Sequence, residues 1–293
     1  MKFTQNLLIL QQKMTLHSIR HIEAQKIIRE ITTVGSSPLQ ILGNDIQVYF
    51  AKTNIPKFPH IELINEVLCG YLAQCWNLKV PNFTLLKIDD EVVKKYEFEG
   101  GKLSSRYKLD SFGENLFFAS QIVKNSTELE KYNQNVQKSD FNNFASPLDL
   151  VKIGVFDFWI GNKDRKPENP NILIGTNGKM FNFYPIDHTA AFAFLEDYKQ
   201  VRDILLAIEP KNNILSAPIV GSITNFVSPN LKAGLKDEIL FGIEVALDNL
   251  DFIFQQIPSD WGLSKKSKLH LKAFLADNDR NNRIANSYLA YLK

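Results

Sequence analysis

Cysteine is nearly absent: the 293 residues contain two, Cys69 and Cys75. They lie six apart in a segment with helical patterning, so they face different sides. No second Cys/His pair stands nearby to complete the four ligands of a zinc site. Two buried free thiols are the expected state, and the count argues against a disulfide-stapled scaffold. A reducing, cytoplasmic setting fits that count. Long apolar runs are also missing. Nothing approaches the roughly 20 residues of a membrane span. The run Leu7-Leu8-Ile9-Leu10 is too short for an export signal, and no small-residue cleavage site follows it. Neither sign of charge dominates: 34 Lys and Arg against 32 Asp and Glu leave a net +2. With no dense basic stripe, neither direct nucleic-acid binding nor membrane adhesion is expected. There is no internal repeat and no low-complexity tract.

What the chain does have is core material, 44% hydrophobic against 23% charged residues, as in a globular protein. Its length accommodates two lobes. Residues 1–13 read as an N-terminal extension, with Met1 and Met14 both candidate starts. Ile19, Ile22, Ala24, Ile27, Ile28 and Ile31 are spaced for a short amphipathic helix, or a helix running into a strand. Leu39–Leu42, Gly43-Asn44-Asp45 and Ile46–Lys52 read as strand, turn, strand, with Val48, Phe50 and Lys52 on one face. Ile61, Ile64, Leu68, Leu72 and Cys75 predict a helix within Pro59–Leu78. Phe83–Ile88 reads as a strand, residues 89–108 as a loop or hairpin, and Phe117–Val123 as an apolar link between lobes. Residues 124–146 are polar and read as a surface connection. Leu148–Ile160 predicts a buried helix, and further helices are expected near 199–208, 234–255, 264–276 and 279–292. Strands with one helix first, and mostly helices afterwards, predict an α+β fold of two lobes. The smaller lobe would span residues 14–122 and the larger, mainly helical lobe 123–293.

The polar stretch Gly161-Asn162-Lys163-Asp164-Arg165-Lys166-Pro167-Glu168-Asn169-Pro170-Asn171 sits between two apolar flanks. An Asp and an Asn five apart on such a loop face a common cleft. Kinases use this spacing, the Asp taking a hydroxyl proton and the Asn binding Mg²⁺. Asn171 competes with Asn169 for the metal. Downstream, Asp187 ends the apolar run Phe181–Ile186. A buried, unpaired carboxylate is costly, and metal binding offsets that cost. A hairpin turning at Gly175-Thr176-Asn177-Gly178 pairs residues 171–174 with 181–186, bringing Asn169 and Asp187 together at one end. Lys52, ending its strand, and Glu66, on the next helix, match the lysine–glutamate pair that anchors nucleotide phosphates. Glu62, one turn earlier, is the competing partner. Gly35, Ser36 and Ser37 would cover the phosphates. His188 reads as a hydrogen-bonded neighbour of the site. Arg165 and Lys166 read either as acceptor contacts or as solvated charges. Trp76, Trp159 and Trp261 read as core.

These residues carry a resemblance. His17-Ser18-Ile19-Arg20-His21, Gly35-Ser36-Ser37-Pro38, Tyr49-Phe50-Ala51-Lys52, Asn65-Glu66, Leu78-Lys79-Val80-Pro81, Asn162-Lys163-Asp164-Arg165 through Asn169-Pro170-Asn171, and Ile186-Asp187-His188 resemble the HipA-like kinases. These are atypical Ser/Thr kinases known from bacterial toxin–antitoxin systems. The Asn-x-Asp-Arg and Ile-Asp-His pieces are also similar to type II phosphatidylinositol 4-kinases. The resemblance implies a protein-kinase-like fold and an ATP- and Mg²⁺-dependent phosphotransferase acting on protein Ser/Thr. It implies Asp164 as catalytic base beside Asn169, Asn169 and Asp187 as metal ligands, and Gly35, Ser36, Ser37, Lys52 and Glu66 around the nucleotide. Ser36 and Ser37 are candidates for autophosphorylation, and a helix-turn-helix antitoxin-type protein is an implied partner. The chain lacks His-Arg-Asp and Asp-Phe-Gly, as the atypical group does, and has one glycine where ordinary kinase loops have three. A nucleotide-binding pseudokinase and a small-molecule or lipid kinase are the alternative readings.

Overall fold

The computed structural model describes residues 15–32, 37–53, 58–107, 111–194, 198 and 212–291. Gly35, Ser36 and the helix expected near 199–208 lie outside them.

The first half is a five-stranded closed barrel with helices packed on it. Its strands are β1 (Arg20–Glu30), β2 (Leu39–Gly43), β3 (Val48–Lys52), β4 (Phe83–Lys87) and β5 (Leu116–Gln121), in the order β1-β2-β3-β5-β4, with β1 parallel to β4. Alternation puts Ile27, Leu39, Ile41, Tyr49, Ala51, Leu86 and Phe117 inside. It leaves Phe50 and Lys52 facing the cleft described below.

Residues 20–30 are a strand throughout, which corrects the helical reading. Bulges between Ala24 and Lys26 and between Ile27 and Arg29 shift the phase of burial. Ile22, Ala24 and Ile27 therefore all reach the interior at mixed spacings of two and three. Helix α1 (Ile61–Cys75) follows β3, and α2 (Asp90–Phe98) follows β4. α2 occupies part of the stretch read as a loop: its buried anchor is Val93, and the rest of its surface is mostly polar.

In the second half, β6 (Thr127–Glu128), a short strand in the expected surface connection, adds to the hairpin of β7 (Ile172–Asn177) and β8 (Met180–Pro185). Asn177 pairs with Met180, so the turn sits at Gly178-Lys179, two residues beyond the centre expected. Helices α3 (Lys138–Phe141), α4 (Asp149–Ile160), α5 (Pro218–Thr224), α6 (Pro229–Asp248), α7 (Leu250–Gln255), α8 (Lys265–Leu275) and α9 (Asn278–Ser287) complete it. Helix α5 was not foreseen; Pro218 at its first position starts it.

One apolar core runs through both halves. Val67, Leu68 and Leu72 of α1 share it with Leu85 and Phe118 of the barrel and with Phe156, Ile239 and Ile253 of the helical half. Trp76, Trp159 and Trp261 are all buried in it. Cys69 and Cys75 are buried free thiols, and burial pushes the Cys75 thiol up to about 12. Among the described residues no helix is long and apolar enough to cross a membrane.

Candidate functional site

A cleft of about 670 Å³ opens between the barrel and the β7–β8 hairpin. Lys52, Glu66, Asp164, Asn169 and Asp187 all line it. Its apolar lining includes Phe50, Val80, Phe118, Ile122 and Leu173. A flat, largely apolar base with a charged tail suits such a mixture.

The cationic end is built from β3 and α1. Lys52 Nζ donates to Glu66 Oε1 at 2.7 Å and lies 3.1 Å from Asp187 Oδ1. The Glu66 side chain is 3% exposed and that of Lys52 14%, so this is a buried ion pair. Burial alone would lower the Lys52 pKa, but the carboxylates of Glu66 and Asp187 outweigh it and hold the ammonium above its ordinary value. Burial alone would raise Glu66. The Lys52 charge and His188 outweigh it and bring the carboxyl down to about 2.

Helix α1 is fastened to the segment after Asp187. The His188 backbone N–H donates to Glu66 Oε2 at 3.1 Å, and Asn65 Nδ2 donates to the carbonyls of Thr189 (2.9 Å) and Ala191 (3.0 Å). The Tyr198 hydroxyl donates to Asn65 Oδ1 at 2.7 Å. The sequence motif Asn65-Glu66 thus has a physical content: one residue fixes the helix and the next holds the lysine. His188 is buried beside Glu66, its Nδ1 3.6 Å from Oε2.

The loop after α4 begins at Gly161, whose φ of 64° ends the helix in the left-handed conformation. Asn162 Oδ1 then accepts from the Asp164 N–H at 3.1 Å. Asp164 Oδ2 accepts from Asn169 Nδ2 at 2.9 Å and from Asn171 Nδ2 at 3.3 Å. An amide whose NH₂ is spent on a carboxylate keeps its oxygen for another partner, and the Asn169 oxygen is the donor type a hard cation takes. Asp187 accepts from Thr189 Oγ1 at 2.8 Å, and its φ of 58° is a conformation a non-glycine residue holds only with support. The Ile186 N–H to Asn171 carbonyl bond, 2.9 Å, closes the hairpin end between Asn169 and Asp187. One carboxylate and one amide oxygen suit Mg²⁺, which completes its shell with phosphates and water. Among the described residues no group of three or more His, Cys, Asp or Glu forms a metal cluster of its own.

Ser37 has a φ of 42°, and its carbonyl accepts from the Tyr107 hydroxyl at 2.6 Å; the next residue, Pro38, lines the cleft. Arg165 is fully buried and does not line the cleft, so it is neither solvated nor a contact for a phosphoryl acceptor there. Sequence reasoning passed over its partner Asp157. The signal was there: a single carboxylate in the apolar helix stretch Val155-Phe156-Asp157-Phe158-Trp159 demands a cation.

The sequence profile of the HipA-like kinase family matches residues 24–285. The chain belongs to the HipA-like kinase family. Among solved structures, the proinflammatory kinase CtkA of Helicobacter pylori is similar at 15% identity and a TM-score of 0.50, covering 93% of this chain and 97% of CtkA. A Golgi casein kinase is similar at 13% identity and a TM-score of 0.41, covering 98% of this chain and 76% of that one. No protein of curated function matches the sequence. The fold is thus the α+β, two-lobed kinase-like fold.

Proposed function

We propose that the chain transfers the γ-phosphoryl group of Mg·ATP to a protein Ser/Thr hydroxyl. The observation that carries this reading is the convergence of Lys52, Glu66, Asp164, Asn169 and Asp187 on one cleft, with Lys52 held between two carboxylates.

Each residue has work suited to its surroundings. Lys52, fixed by Glu66, meets the phosphates without reorganising its charge. Asn169 and Asp187 would hold Mg²⁺, which supplies charge neutralisation on the transferring phosphoryl group. Asp164, oriented by the Asn169 and Asn171 amides, takes the acceptor proton. The acceptor oxygen forms its bond to the γ-phosphorus, the bond from that phosphorus to the β-bridging oxygen breaks, and ADP leaves with that electron pair. The family resemblance supports a protein acceptor and a helix-turn-helix protein as partner. The near-neutral net charge of +2 argues against a lipid surface.

The test is incubation with γ-labelled ATP and Mg²⁺ in the presence of protein, phosphoinositide and small-molecule acceptors. Label on Ser or Thr of protein is expected. Label confined to lipid or small molecules would overturn the acceptor assignment. A Mg·ATP melting shift with no transfer to any acceptor would make the chain a nucleotide-binding pseudokinase.

A further inference from the structure

We propose that Arg165 is a positioning residue, whose buried guanidinium clamps the loop carrying Asp164 and Asn169 to the strand end carrying Asp187. The geometry stands by itself; the kinetic test rests on the phosphotransferase reading above.

Arg165 follows a residue that lines the cleft, yet its side chain is 0% exposed. A guanidinium does not shed its charge and has only donors, so burying it requires acceptors around it. Nε lies 2.9 Å from Asp157 Oδ2 and 3.2 Å from Oδ1. Nη1 donates to the carbonyls of Pro170 at 3.2 Å, Ile186 at 3.0 Å and Asn171. These carbonyls come from two segments. Pro170 and Asn171 directly follow Asn169, and Ile186 directly precedes Asp187. A single nitrogen therefore bridges the two segments that carry the residues assigned to the metal, beside the Ile186–Asn171 backbone bond.

The other end of the clamp is equally fixed. Asp157 lies on α4, inside the helical core, and its Oδ1 also accepts from Asn162 Nδ2 at 3.1 Å. Asn162 in turn orients the Asp164 N–H. Asn171, which carries one clamped carbonyl, and Asp187, which follows another, both have positive φ, 45° and 58°. Non-glycine residues keep such backbone angles where surrounding bonds over-determine them. A lysine keeps the charge but cannot reach Asp157 and three carbonyls at once.

The experiment compares the full chain as wild type, Arg165→Lys and Asp157→Asn. It reads kcat, KM for ATP and the Mg²⁺ concentration for half-maximal activity. Arg165→Lys is expected to lower kcat about 10- to 100-fold and to raise the Mg²⁺ requirement about tenfold, as loss of support behind metal ligands does. KM for ATP at saturating Mg²⁺ should stay close to wild type. Asp157→Asn, isosteric and still an acceptor, should move the Mg²⁺ requirement in the same direction by less. Activity lost only in proportion to folded protein, with the Mg²⁺ requirement unchanged, would overturn the proposal. Where Arg165→Lys does not fold, Asp157→Asn decides by the same criterion. Where wild type neither binds Mg·ATP nor transfers phosphate, the phosphotransferase reading fails, and the clamp is read by amide hydrogen exchange. Faster exchange at residues 164–171 and 186–187 in the folded variant is then expected, and unchanged exchange there overturns it.

Discussion

At the scale of single residues the site is a set of charges that hold one another in place. Glu66 gives the sharpest prediction. Its folded pKa of about 2 lies below its ordinary 4.5, so its stabilising contribution is complete above pH 4.5 and is lost as pH falls toward 2. The size is on the order of 3 kcal/mol, from the size of that shift. Urea unfolding between pH 5 and 2 should therefore show a steeper loss of stability in wild type than in Glu66→Gln. Equal slopes would contradict a buried, ionised Glu66. The residues facing the cleft were legible in sequence because chemistry fixes their type and spacing: Asp164 and Asn169 on one loop, Asp187 at a strand end, Lys52 at another. The Asp157–Arg165 pair was not legible as a pair. Its members are separated by the end of α4 and a tight turn, and only the folded chain shows that both are buried together.

At the scale of elements, periodicity worked where burial was regular. The 12 residues of α4 and the alternating β3 read correctly, since one repeat decides each. β1 did not, because two bulges turn a period of two into spacings that imitate a helix. α2 was missed because a helix with one buried residue carries little pattern. The turn of the β7–β8 hairpin was misplaced because both Gly175 and Gly178 offered a turn, and only Gly178 has a positive φ, 65°. Gly175 instead lies within the strand, where an added Cβ would sit 2.6 Å from Val123 Cγ1. Helix α4 positions Asp157 and the loop that carries Asp164 and Asn169, and it packs closely. A Cβ on Gly154 would sit 2.5 Å from Leu215 Cγ and 2.8 Å from Asn213 Oδ1. Alanine in a helix ordinarily gains up to about 1 kcal/mol over glycine, whereas overpacking costs about 1–3 kcal/mol. Gly154→Ala is therefore expected to destabilise by roughly 1–2 kcal/mol, read as a lower urea midpoint. A raised midpoint would show that α4 and the Leu215 segment are loosely packed.

At the scale of the whole molecule, the two lobes are joined by α1. It is buried along 12 of its 15 positions, shares the core of the helical half, and carries the glutamate that holds the barrel's lysine. Two lobes were expected from the order of strands and helices. Their joint was expected at Phe117–Val123, but residues 116–121 are the barrel strand β5; α1 was not read as the joint, because long-range contacts such as Asn65 to Ala191 leave no local trace in sequence. The cleft, the kinase-like fold and the family membership support the proposed phosphoryl transfer, in which Asp164 is the proposed base. Single-turnover transfer from γ-labelled ATP, measured beside Mg·ATP affinity for wild type and Asp164→Asn, tests that role. The substitution should slow transfer by about 10²- to 10⁴-fold, the usual contribution of a positioned general base, while affinity for Mg·ATP stays near that of wild type. Equal transfer rates in the two proteins would contradict the role of Asp164 and, with it, the proposed mechanism.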